Sequence, residues 1–254
     1  MQRLHLTVIL IITFCFSAFA QNAYDSNGLR TGPWRGYYED STLRFEAEFE
    51  AGKPVGLMKR YNEKGVLSAT MYFYAGSVRC FVKMYTPQGK INATGIYEAQ
   101  KMDSTWNYLG ADGAVRMTEN YDNGVLSGPT KNFYPSGNIS QCINYTDGVK
   151  DGQWIQYFDN GDTMMSAYYI NGLLHGKYIT YYPGGKIQIK GIYYHDLKDE
   201  AWTYYSEEGE ILTILHYDQG DILNPEEMEE NYEKFIKQIE ENIGNTPDPS
   251  LGGM

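Results

Sequence analysis

The chain is poor in the residues from which most catalytic and metal sites are built. Its 254 residues include three cysteines and four histidines. There is no Cys-x2-Cys pair, no Gly-x-Ser-x-Gly elbow and no glycine-rich phosphate loop. The usual sequence signs of a zinc site, a hydrolase nucleophile and a nucleotide pocket are therefore missing. Base is short too, with 21 Lys and Arg against 32 Asp and Glu, a formal charge of −11. Nucleic acid and anionic lipid both attract basic surfaces, so neither is an expected partner. A long apolar run occurs only near the N-terminus, from Leu6 to Phe16.

That run follows Arg3 and ends before Ala18-Phe19-Ala20, a small-x-small cleavage pattern. It is short of the ~20 residues a membrane span needs. Residues 1–20 thus read as a secretory signal peptide, with export to the periplasm, cell surface or medium. Phe14 stands before Cys15 where a lipid-attachment site wants a small residue, so no lipid anchor is expected. Loss of Arg3 with the leader takes the charge from −11 to −12. Cys80 and Cys142 remain. About four strand spacings, or roughly 19 Å, would separate them in a meander. A disulfide needs Cα atoms within ~7 Å, so no bridge is expected.

What the chain has is a beat of 24 residues. Steps of 24 from Gly28 land on Gly52, Gly76, Gln100, Gly124, Gly148, Gly172, Asp196 and Gly220. With these as phase zero, glycine recurs at phase four in Gly32, Gly56, Gly128, Gly152 and Gly176. All four tryptophans, Trp34, Trp106, Trp154 and Trp202, stand at phase six. Phase nine is aromatic in Tyr37, Tyr61, Tyr85, Phe133, Tyr157, Tyr181 and Tyr205. Phase thirteen carries Gly65, Gly89, Gly113, Gly137, Gly161, Gly185 and Gly209. Phase twenty-one is Phe or Tyr from Phe49 to Tyr217. Such a period marks a stacked repeat.

Each repeat reads as a β-hairpin, with strands at phases five to ten and fourteen to twenty-one. Pro135-Ser136-Gly137 and Pro183-Gly184-Gly185 suit a type I turn closed by a left-handed glycine. The glycines at phases zero and four should punctuate the link to the next hairpin. Eight copies over residues 28–219 predict an all-β, elongated and twisted antiparallel ribbon within a repeat domain, 21–223. Copies three and four lose glycines to Cys80, Gln100 and Ser104, which reads as relaxed packing rather than a functional break. From Asn224 the apolar spacing becomes helical, with Met228, Tyr232, Phe235, Ile236, Ile239 and Ile243 on one stripe. Asn224 suits an N-cap and Pro225 the first turn, so residues 224–244 are expected to form a capping amphipathic helix. Residues 245–254 read as a disordered tail.

His175 and His195 fall in successive inter-repeat links, but their spacing matches no ligand pattern. No catalytic residue, metal or cofactor is expected. The candidate site residues are aromatic: Trp34, Trp106, Trp154, Trp202, Tyr157, Tyr181 and Tyr205. They are read first as packing between neighbouring hairpins and second as a ligand ladder.

The pattern Gly-x3-Gly-x-Trp-x2-Tyr-x3-Gly, closed by an aromatic eight residues later, is carried by Gly148, Gly152, Trp154, Tyr157, Gly161 and Tyr169. It resembles the MORN-repeat variant of bacterial YwqK-like proteins, often labelled antitoxins. The resemblance spans about residues 24–219. It implies β-hairpin arrays that bind or scaffold other molecules. The function expected is non-enzymatic binding of a protein through an aromatic face or a strand edge. The alternatives are a glycan or cell-envelope ligand, and neutralisation of an exported toxin.

Overall fold

The computed structural model describes residues 21–74 and 76–230. The expected leader, the part of the expected helix after residue 230 and the expected tail lie outside them. The chain divides into two compact units, residues 1–76 and 77–254. Unit 1 holds β1 (Ala23–Tyr24), β2 (Arg30–Tyr37), β3 (Leu43–Glu50), β4 (Lys53–Tyr61) and β5 (Leu67–Phe73). Each pairs antiparallel with the next in sequence.

Unit 2 begins with β6 (Arg79–Tyr85), β7 (Ile91–Glu98), β8 (Lys101–Leu109) and β9 (Val115–Asp122). The split strand β10 (Val125–Leu126) and β11 (Gly128–Phe133) follows, then β12 (Ile139–Thr146), β13 (Val149–Tyr157) and β14 (Thr163–Ile170). A second split strand, β15 (Leu173–Leu174) and β16 (Gly176–Tyr181), leads to β17 (Ile187–Tyr194), β18 (Leu197–Tyr205), β19 (Ile211–Asp218) and β20 (Asp221–Ile222). A short helix, α1 (Pro225–Glu230), ends the described chain. Among the described residues of the unit all pairing is antiparallel between successive strands, with β9 pairing both β10 and β11 and β14 pairing both β15 and β16.

The turn inside each repeat is as the glycines foretell. Gly161 N–H donates to Phe158 C=O at 2.9 Å, and Phe158 N–H donates to Asp162 C=O at 2.8 Å. Gly161 takes φ 91°. This is a type I turn with a left-handed residue, and the strand register slips by one at its base.

The links between repeats differ from expectation. Phase zero shares a two-residue turn with the residue before it, and both have positive φ: 50° and 87° at Asn171-Gly172, 49° and 81° at Asp147-Gly148. These are type I′ hairpins, whose twist matches that of the strands. The phase-four glycines are not in the link at all. Gly152 (φ 103°) lies inside β13, where Ile143 faces Trp154 and Tyr145 faces Lys150, so extra residues bulge on one side. At Gly128 and Gly176 the same feature splits the strand. Ser104 and Glu200 keep the left-handed bulge, with φ 58° and 56°. These losses, with Gln100 at φ 68°, leave the left-handed backbone in place, whereas Cys80 is a regular strand residue opposite Tyr97.

Asparagines close the outermost strands. Asn22 donates from Nδ2 to Arg35 C=O and accepts the Arg35 N–H, copying a strand residue beside β2. Asn224 accepts the His216 N–H at 2.7 Å and donates to Ile214 C=O at 2.9 Å. Its carboxamide thus serves the edge of β19, while its backbone carbonyl receives Glu227 N–H in the first turn of α1.

Candidate binding surface

Strand alternation sorts the side chains of unit 2 onto two faces. On β14, Met165, Ala167 and Tyr169 are buried while Tyr168 and Ile170 are exposed. On β19, Thr213, Leu215 and Tyr217 are buried, and His216 and Asp218 exposed. The buried face carries the tryptophans: Trp106 is 0% exposed, Trp154 4% and Trp202 2%. In unit 1, Trp34 packs with Phe45, Ala47 and Phe49.

Trp106 and Trp202 each rest on a glycine at phase nineteen of the preceding strand. A Cβ on Gly191 would lie 2.3 Å from Trp202, and one on Gly95 2.2 Å from Trp106. These glycines let the indoles lie on bare backbone. The ring N–H groups then reach Ile192 C=O at 3.0 Å and Ile96 C=O at 3.1 Å. At Trp154 the equivalent position is Ile143, and the indole N–H bonds instead to Gln141 Oε1 at 3.2 Å.

Lysines line the same face at phase two. Lys198 holds its ammonium 4.5 Å from the Trp202 ring centre and 5.1 Å from that of Tyr217. Burial lowers its pKa. Lys150 lies over Tyr169. Burial also drives the phenols up: Tyr169 is pushed to about 12, and Tyr178, Tyr193, Tyr204 and Tyr217 are raised as well.

The candidate residues Tyr157, Tyr181 and Tyr205 are half-buried. Tyr157 and Tyr205 offer their backbone carbonyls to the hydroxyls of Tyr134 and Tyr182 in the preceding repeat. The sequence candidates thus gather around packing and stitching between hairpins.

The opposite face presents something the motif does not contain. At phase one stand Val125, Val149, Leu173 and Leu197, each 40–45% exposed. Directly across the I′ turns, Ile170 faces Leu173 and Tyr194 faces Leu197. Ile170 and Tyr194 are 39% and 46% exposed, and Tyr168 adds another open ring. Together they make an apolar rim along the turn edge of four successive repeats, from Val125 to Leu197, with Lys101 and Asp221 at the same position on either side. Beside it a groove of about 400 Å³ is lined by Tyr168, Ile170, His175, Lys177 and Ile179. Only the repeat register could have revealed this rim in advance, because no single copy stands out.

His175 and His195 do meet, with ring centres 5.4 Å apart, and Tyr194 completes a triangle with them at 5.4 Å and 4.3 Å. His175 Nδ1 is enclosed without a hydrogen-bond partner among the described residues. Asp196 spends its carboxylate on Leu174 N–H at 2.7 Å. Among the described residues no group of three His, Cys, Asp or Glu is arranged to hold a metal. Cys80 and Cys142 are both free thiols.

Comparison with known families matches residues 30–51, 126–147 and 174–196 to the MORN repeat variant. No curated protein is significantly similar to the chain. Among solved structures, a TcdB2-TccC3 crystal structure aligns at 13% identity and TM-score 0.22 over 78% of this chain. A Photorhabdus luminescens Tc holotoxin pore with a mutated TccC3 aligns at 9% identity and TM-score 0.17, again over 78%. The chain spans 15% and 16% of those two proteins.

Proposed function

We propose that this is an exported, non-enzymatic binding module that holds another polypeptide on the apolar rim of unit 2. The observation that carries the reading is the exposed ladder Val125, Val149, Leu173 and Leu197, widened by Ile170 and Tyr194. Contiguous exposed apolar surface on one side of a sheet marks a contact site. MORN repeats generally serve as protein- or membrane-binding modules, and the charge of −11 disfavours anionic membranes. Glycans favour open aromatic faces, but the tryptophans here are 0–8% exposed, so the glycan alternative has less support. Neutralisation of an exported toxin, as the YwqK-like resemblance suggests, is one form that polypeptide binding could take.

The test is capture of partners by the tagged chain from cell-envelope extract, read by mass spectrometry. A Leu173→Ser/Leu197→Ser variant with an unchanged circular dichroism spectrum is the control. One polypeptide recovered by the native chain and lost with the variant supports the reading. Equal recovery by both proteins, or no enrichment, rejects it.

A further inference from the structure

We infer that the rim is built for a basic amphipathic helix, a conclusion that rests on the polypeptide-binding reading above. Three features of unit 2 define the occupant.

The first is spacing. Successive rungs are two strands apart, roughly 10 Å. An α-helix advances about 10.5 Å in seven residues, so side chains at i, i+7 and i+14 meet successive rungs. An extended chain turns every other side chain away and steps about 6.7 Å between those that remain. Its period does not match the rungs.

The second is charge. Asp122 faces Val125 across its turn, and Asp218 faces Asp221 at the far end. Asp147 and Asp196 occupy the turns between. None of these five aspartates is in an ion pair among the described residues. Lys150 and Lys198 are folded over aromatic rings on the other face, and Lys101 beside Gly124 and Lys177 in the groove leave two lysines against the five aspartates on the rim side. The rim is therefore aliphatic in its middle and anionic along its border. A complementary helix has aliphatic residues on one stripe with Lys or Arg beside them.

The third is what this excludes. A second copy of the chain would bring five aspartates against five. The chain's own residues 231–254 carry four acids and two bases, a poor complement. Attraction at this border acts within a Debye length of about 8–10 Å, so binding should weaken steeply with salt.

The test uses the full chain and three fluorescent 22-residue helical peptides. One has leucines on a single stripe flanked by lysines, one replaces the lysines with glutamates, and one replaces the leucines with alanines. Anisotropy should show binding of the Lys–Leu peptide alone, with peptide helicity rising on binding. Both Leu173→Ser/Leu197→Ser and Asp122→Asn/Asp147→Asn/Asp218→Asn/Asp221→Asn should weaken it by about tenfold or more. Binding that ignores the leucine variant would be mere attraction to a polyanion and overturns the inference. Equal binding of the Glu–Leu peptide overturns the charge argument but leaves a polypeptide-binding rim standing. Failure of all three peptides rejects a helical occupant, while the capture experiment still decides the broader reading.

Discussion

Gly191 shows how one atom sets the core of this repeat. Its φ is not in the left-handed region, so its value lies in having no side chain. The Trp202 indole lies where its Cβ would stand, 2.3 Å from the nearest ring atom. Gly191→Ala must push the indole off the backbone and break its hydrogen bond to Ile192 C=O. Overpacking of this kind costs about 1–3 kcal/mol, to be read as a lower urea midpoint. If the clash is the cause, the loss should shrink sharply in a Trp202→Leu background, measured as a double-mutant cycle. The buried phenols add a pH signature. Tyr169, Tyr178, Tyr193, Tyr204 and Tyr217 all have folded pKa values raised above 10.0, chiefly by burial. Above pH 10 the unfolded chain ionises them first, so stability present below pH 10 is lost as pH rises toward and beyond 12. Lys198, lowered from 10.5 by burial, works in the opposite sense as pH rises toward 10.5. One lysine stands against five tyrosines. Urea midpoints should therefore hold up to about pH 10 and then fall, in step with tyrosinate absorbance. A flat profile to pH 12 would contradict this burial.

At the scale of elements, two kinds of turn alternate, and the sequence discloses them unequally. The Pro-x-Gly turns at phase thirteen can be read because glycine there has one local reason, a left-handed closing residue. The glycines at phases zero and four look alike in sequence but do different jobs. One sits in a type I′ turn, the other in a bulge. Asn171-Gly172 and Asp147-Gly148 are strong type I′ signals and could have separated the two. Asn224 is ambiguous in the same way. Its sequence setting suggests a helix cap, but its side chain completes the edge of β19. Tertiary pairing decides between the two, and no local pattern contains it. Asn224→Ala leaves the His216 N–H and Ile214 C=O without this partner. About 1 kcal/mol of local stability should go, seen as faster hydrogen exchange at the His216 amide. Asn224→Asp keeps an acceptor for His216 but no donor for Ile214, so it should fall between the two. Unchanged exchange in both variants would mean that the carboxamide adds nothing to the edge.

Over the whole molecule, periodicity makes the all-β hairpin topology readable in the sequence, because each 24-residue copy repeats one set of turn and packing requirements. It did not say which face is buried. That choice depends on bulges that set strand parity, and on Gly95 and Gly191, which fall outside the repeating glycine phases. The tryptophans therefore look equally suited to packing and to binding in sequence, and the aliphatic rim at phase one goes unnoticed. If contacts do run chiefly between neighbours, phase rather than length should govern tolerance to deletion. Removing residues 149–172 from unit 2 joins Gly148 to Leu173 and keeps every later residue at its own phase. Leu173 then faces Thr146, as Val149 does now, and Tyr178 takes the place of Trp154 opposite Ile143. This shortened chain should keep its strand circular dichroism and a single cooperative melt, at a lower temperature because the Trp154 cluster is gone. Removing residues 149–160 takes fewer residues but joins phase zero to phase thirteen. Two turns then abut, buried and exposed positions no longer alternate across the junction, and unit 2 should lose its cooperative transition. If the shorter deletion proves the better tolerated, stability lies in long-range contacts rather than in the repeat.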